Sequence, residues 1–230
     1  MFFFDPLYFV FILPALLLAF YAQMKVRSAY GKWLKVPNTR SLSGADAARY
    51  LISANQIGDV RIEGVPGELS DHYDPRTKTL RLSQGVANSR SVASLAIVAH
   101  EVGHAVQDAT DYGPLKLRGS IVPAIQVSAW IAPLLFFVGL LINSTGLAWL
   151  GVILFGGTVV FALITLPVEL NASARAMAML RDNGLVASDQ DEKGASSVLN
   201  AAALTYVAAL AQTLMTLLYY VTILTGSRRD

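Results

Sequence analysis

Ala96-Ile97-Val98-Ala99-His100-Glu101-Val102-Gly103-His104-Ala105-Val106 reads H-E-x-x-H within an apolar run. On a helix, residues four apart share a face, so His100 and His104 point the same way. Two imidazoles so placed bind one Zn²⁺. Glu101, next to the first of them, reaches a water on the metal without being a ligand itself. Zn²⁺ lowers the pKa of that water, and the carboxylate takes its proton as the water attacks a carbonyl. The chain has three histidines, and two are here. Glu101 is the lone charge between Ser91 and Gln107, which predicts a largely buried helix. A buried carboxylate is expensive unless something pairs with it. The stretch therefore predicts a zinc metalloprotease arrangement, with Zn²⁺ as cofactor and Glu101 as general base.

Composition sets the surroundings. The 230 residues are 54% hydrophobic and 15% charged, with a mean hydropathy of +0.48. The charged share is well below the soluble average of about 25%. With no cysteine, a disulfide framework, a thiolate zinc site and a cysteine nucleophile are all excluded, so His and carboxylate must hold the metal. A net charge of +2 is too small to point to nucleic acid. Once membrane segments are removed, the length leaves room for one small catalytic part.

Outward from the motif, the chain alternates membrane candidates with polar stretches. Leu7–Met24 is almost wholly apolar and long enough to cross a bilayer. It is preceded by Asp5 and followed by Lys25, Arg27, Lys32, Lys35 and Arg40. The positive-inside rule then puts the N-terminus outside and the next region in the cytoplasm, as for an uncleaved anchor. Ser43 opens a helix running to about Asn55. Val60–Ile62, Glu68–Tyr73 and Lys78–Leu82 read as strands of a small antiparallel sheet, with turn chemistry at Asp74-Pro75-Arg76-Thr77. That sheet is either an edge for an extended peptide or a purely structural hairpin. Ser89 or Ser91 caps the motif helix, and Gly113-Pro114 is a breaker. Ile121–Ile142 and Leu147–Leu166 form a second and third span, joined by the uncharged turn Asn143–Gly146. Asn183–Gly194 reads as a polar loop. Val198–Leu224 is a fourth apolar stretch. If it crosses fully, Arg228 and Arg229 lie outside, against the positive-inside rule.

A catalytic zinc takes three protein ligands plus water. Glu169 is the candidate for the third, at a membrane boundary on a helix with few other charges, where the hairpin returns to the face it left. Ser173 shares its helix face, and Asn171 lies off it. The plain alternatives for Glu169 are a solvated charge near the headgroups or a partner for Arg175. His72 has three readings: a ligand, a hydrogen-bond donor to the oxyanion or a substrate contact, and a surface strand residue. Tyr73 and Tyr206 are further donors without a local mark. Asp71 and Asp74 read as turn and hairpin residues.

Asp71-His72-Tyr73-Asp74-Pro75, Leu80-Arg81-Leu82-Ser83 and Ala99–Gln107 together resemble the YugP-type neutral zinc metallopeptidases, bacterial membrane proteases assigned by motif. The resemblance covers nearly the whole chain, including the anchor and Pro167–Ser173. It implies zinc binding and peptidase activity and supplies no substrate. The order of zinc helix, membrane hairpin and later glutamate is also similar to HtpX-type and CAAX-prenyl membrane proteases. There the glutamate ligates zinc and begins an E-x-x-x-D pattern. Here Ser173 stands in place of that aspartate, which leaves Glu169 as ligand and weakens the outer contact.

The expected fold is an α-helical membrane protein with about four transmembrane helices and a small α+β zincin-like catalytic part. Its divisions are an anchor at 1–24, a cytoplasmic part at 25–120 and a hairpin at 121–166. A cytoplasmic segment at 167–197 and a last helix and tail at 198–230 follow. The expected function is a multi-pass zinc endopeptidase of the cell membrane. Its site lies on the cytoplasmic side, and its partners are a protein or peptide substrate and the bilayer. Its site residues are His100, His104 and Glu169 for the metal and Glu101, with His72, for catalysis. The rivals are a zinc-holding membrane scaffold or chaperone-like protein and a zinc hydrolase of a non-peptide amide.

Overall fold

The structure, a computed structural model, describes residues 6–226; Arg228 and Arg229 lie outside them. In chain order the elements are α1 (Pro6–Trp33), α2 (Gly44–Ala54), β1 (Arg61–Val65), β2 (His72–Asp74), β3 (Thr79–Ser83), α3 (Gln84–Asn88), α4 (Val92–Ala109), α5 (Gly113–Leu141), α6 (Thr145–Asp182) and α7 (Asp189–Gly226). They divide into two compact units. One takes in the chain up to residue 22, residues 116–167 and the chain from 205 onward. The other takes in residues 23–115 and 168–204.

The first unit is built from apolar helix. Among the described residues, α1, α5, α6 and α7 are long and apolar enough to cross a membrane. Their outer faces carry large apolar side chains such as Trp130, Leu141 and Ile153, all well exposed. A surface of that kind suits a lipid solvent rather than water. Inside, small residues let helices approach closely. A Cβ on Gly139 would lie 2.4 Å from the Ala148 backbone nitrogen, and one on Gly151 would lie 2.6 Å from that of Phe136. Phe136 stacks on Tyr220 with ring centroids 4.0 Å apart, in a cluster with Val152 and Leu224.

The helices are longer than the apolar runs that announce them. Pro114 starts α5 instead of breaking the chain, because the first turn of a helix has no intrahelical N–H bond to lose. Likewise α6 continues through Pro167, so the third span and the segment bearing Glu169 are one helix. Asp189, Asp191 and Glu192 sit in the first turn of α7, where the helix dipole favours acids. The expected polar loop is accordingly shortened at its C-terminal end.

The second unit carries the sheet and the motif helix. The sheet is mixed rather than antiparallel. Its order is β1-β3-β2, with β1 parallel and β2 antiparallel to β3. Strand β3 holds the centre because Leu80 and Leu82 are almost fully buried. The expected strand from Glu68 contracts to His72–Asp74, since Gly67 and Leu69 both turn with positive φ. Asp71 accepts hydrogen bonds from the Ser83 N–H and hydroxyl, and Asp74 accepts from the Arg76 N–H and the Thr77 hydroxyl. Ser43 caps α2 through the Asp46 N–H, and Ser91 caps α4 through the Ser94 N–H. Leu51, Leu80, Leu95, Val98, Val102 and Leu180 lie in one core.

Helices α4 and α6 meet backbone to backbone within this unit. A Cβ on Gly103 would lie 2.7 Å from the Ala172 carbonyl oxygen. A rigid carbonyl cannot swing aside as a side-chain tip can. Gly103→Ala is expected to destabilise the chain by about 1–3 kcal/mol, read as a lowered Tm in detergent; an unchanged Tm would show that the helices part freely.

Candidate metal centre

Ser91 and the apolar run behind it fix α4, whose buried face includes Val98, Val102 and Ala105. That face orients His100 and His104 toward α6. Glu169 lies there with 2% of its surface exposed. Its Oε2 is 3.2 Å from His100 Nε2 and 3.4 Å from His104 Nε2. The two rings are set edge to face, 4.8 Å between centroids. Among the described residues, these three form the group able to hold a metal, with all ligand atoms within 4.8 Å of one another.

The donor set can be tested against zinc by geometry. Zinc–nitrogen and zinc–oxygen bonds near 2.0–2.1 Å in a tetrahedron put neighbouring ligand atoms about 3.3 Å apart. The two imidazole-to-carboxylate separations match that edge. Two neutral imidazoles and one carboxylate are also a donor set used by catalytic zinc, with one position left for water. The residues fit the ion.

Outer contacts orient each ring. His104 Nδ1 lies 2.9 Å from Gln107 Oε1, and His100 Nδ1 lies 3.2 Å from Ser173 Oγ. Gln107 Nε2 donates to the Val168 carbonyl and to Asn171 Oδ1, both at 2.9 Å. Arg175 Nε donates to the same Asn171 oxygen at 2.8 Å, and its guanidinium lies over the Tyr112 ring.

Glu101 is held from the sheet. The Tyr73 N–H donates to Glu101 Oε2 at 2.9 Å, and the Tyr73 hydroxyl donates to Asp108 Oδ2 at 2.8 Å. One strand residue thus ties β2 to α4 at two points, seven residues apart on the helix. Burial pushes the Glu101 carboxyl above its usual range, against the opposing pull of His100 and His104. Burial works against a charged His104, but its hydrogen bond to Glu169 and the Glu101 charge outweigh that and raise its pKa. Burial, then the Asp108 carboxylate, raises the Tyr73 phenol, so it remains a donor.

The chain matches, over residues 8–225, the family described as "Putative neutral zinc metallopeptidase". It belongs to that family. A curated relative, "Putative membrane protease YugP" of Bacillus subtilis (strain 168), is 44% identical over 223 residues, covering 96% of this chain and 99% of the relative. No solved structure matches the chain. With four helices among the described residues long and apolar enough to cross a membrane, this member of the neutral zinc metallopeptidase family is a multi-pass membrane protein.

Of the residues singled out by sequence, the structure brings His100, His104, Glu101 and Glu169 together, with Ser173 against His100. It leaves His72 exposed on β2, its Nδ1 on the Ser70 carbonyl. It pairs Arg175 with Asn171. Gln107 and Asn171 were not marked by their sequence neighbourhood. The available sign was a lone amide one turn beyond His104, ending an otherwise apolar run. The Tyr73→Phe variant keeps the amide bond to Glu101 and removes the Asp108 contact. It is expected to lose about 1.5–3 kcal/mol in stability with zinc content unchanged, read by thermal melt and elemental analysis.

Proposed function

We propose that this chain is a membrane-embedded zinc endopeptidase with its site on the cytoplasmic side, cutting extended segments of membrane or membrane-proximal proteins. The observation that carries the reading is one buried Glu169 oxygen at tetrahedral-edge distance from two imidazole nitrogens on adjacent helical turns. Glu101 stands beside the first of them. When bound there, zinc supplies a Lewis acid that acidifies water and polarises a peptide carbonyl.

His100 and His104 present Nε2, and Glu169 adds a fixed negative charge that keeps both rings turned inward. Glu101 takes a proton from the attacking water and passes it to the departing amine. The Tyr73 amide aims the Glu101 carboxylate. This N–H points away from β3, so the outer edge of β2 faces the zinc helix. An extended peptide adding there as a further strand takes that N–H from Glu101. The exposed His72 on that strand supports a substrate contact better than ligation.

The charge pattern supports the topology. Lys25, Arg27, Lys32 and Lys35 follow the first span, and Lys116 and Arg118 precede the second. This puts 25–120 and 167–197 inside, with 121–166 as a hairpin whose turn is outside. The 1–24 anchor and the 198–230 helix and tail complete the divisions.

Glu101→Gln is expected to keep zinc and to slow cleavage of an unfolded protein by about 10²–10⁴-fold, whereas Glu169→Ala loses both. Elemental analysis of the purified variants, with cleavage assayed with and without chelator, checks this; full zinc in Glu169→Ala would remove that residue from the ligand set. Because the chain has no cysteine, single cysteines report sidedness directly. An impermeant maleimide is expected to label Ser144→Cys in intact cells and Arg76→Cys only after lysis. The reverse pattern would invert the topology.

A further inference from the structure

The amide of Gln107 is fully buried, yet it takes no part in the chemistry above. Its orientation follows from partners that cannot change roles. A backbone carbonyl only accepts, so the end of Gln107 facing the Val168 oxygen is the NH₂ group. A guanidinium only donates, so the atom of Asn171 facing Arg175 Nε is its oxygen. That oxygen also meets Gln107, which again requires NH₂ on the glutamine side. Two independent anchors therefore give one answer. Gln107 Oε1 faces His104, and an amide oxygen only accepts, so His104 Nδ1 carries a proton. Nε2 is then the one ring nitrogen free to exchange a proton for a metal.

We propose that Gln107 is a positioning residue for the metal centre, holding His104 with Nδ1 protonated and Nε2 directed at Glu169, and that Asn171 and Arg175 set the polarity of this relay. The inference rests on the zinc reading of the site for its effect on affinity and on the hydrogen-bond chain alone for its effect on the ring. The two histidines are held differently. His100 has a serine hydroxyl at Nδ1, which rotates and both donates and accepts. His104 has an amide fixed at both of its N–H bonds. Such outer partners set the ring orientation of metal-binding histidines and typically carry 10–100-fold in affinity. The helix spacing serves the relay as well. Glu169 and Ser173 share one face of α6 and reach the histidines. Asn171 and Arg175, also four apart, share the neighbouring face and reach Gln107 and Tyr112.

The test compares Gln107→Ala, Asn171→Leu and Asn171→Asp in the full chain in detergent, labelled with ¹⁵N-histidine. Zinc affinity is measured by chelator competition. The His104 Nδ1–H resonance is followed in zinc-free and zinc-loaded protein. Gln107→Ala is expected to weaken zinc by about 10–100-fold and to leave the Nδ1 proton shifted and open to exchange with water. Asn171→Leu should show part of both effects. Asn171→Asp, which keeps an acceptor for Arg175 and Gln107, should show neither. An unshifted Nδ1 proton with unaltered zinc affinity in Gln107→Ala overturns the proposal, as does an Asn171→Asp variant as impaired as Asn171→Leu. If Gln107→Ala does not fold, the Asn171 pair decides, since neither change touches His104. If the wild-type chain takes up no zinc, the zinc reading fails, while the ring proton of the zinc-free protein still decides the relay.

Discussion

A single carboxylate oxygen facing two imidazole nitrogens is the arrangement on which the polar half of this protein depends. Glu169 is almost wholly out of water, and a buried anion without compensation is costly. Its compensation comes from a helix more than sixty residues earlier in the chain. Every feature that steadies α4 therefore also steadies Glu169: the Ser91 cap, the Tyr73 tie to Glu101 and Asp108, and the Leu95, Val98 and Val102 core. A site of this kind does not tolerate slack, because loosening either helix leaves a charge buried and unpaired.

The division of labour follows from solvent. Residues 116–167 bury little of their apolar surface against protein, as suits helices wetted by lipid, and rely on small residues for helix contact. Residues 23–115 with 168–204 fold around a water-excluded core and carry the polar network. Helices α1, α5, α6 and α7 each supply residues to both units, so the change from one composition to the other falls within continuous helices. At Pro167 that change is invisible to the backbone: α6 continues through a residue that lacks an N–H, as helices in membranes commonly do.

What sequence could and could not disclose is decided by the range of the interactions. His100, Glu101 and His104 are legible because their relation is local, one turn of one helix. Glu169 is legible by its setting, an acid where apolar sequence gives way to polar. The four apolar helices are legible by composition, though their ends are not, since Pro114 and the first turn of α7 obey helix-start chemistry that resembles loop chemistry. The parallel pairing of β1 with β3 was missed because alternation reports which side chains are buried and says nothing of partner or direction. Gln107 was missed because its meaning lies in a carbonyl 61 residues away and an amide 64 residues away. Nothing adjacent to it in sequence carries that information.

Gly103 has no functional group, yet its consequences are metrological. The separation of α4 and α6 is set there by an absent side chain, immediately before His104. A methyl at that position falls about 0.7 Å short of ordinary contact with the Ala172 oxygen, whereas ligand distances at a metal site are held to about 0.2 Å. The Gly103 contact thus sets how closely α4 and α6, and with them His104 and Glu169, approach. The glycine between the two histidines of the motif shapes the site by what it lacks, a side chain that would push Ala172 away.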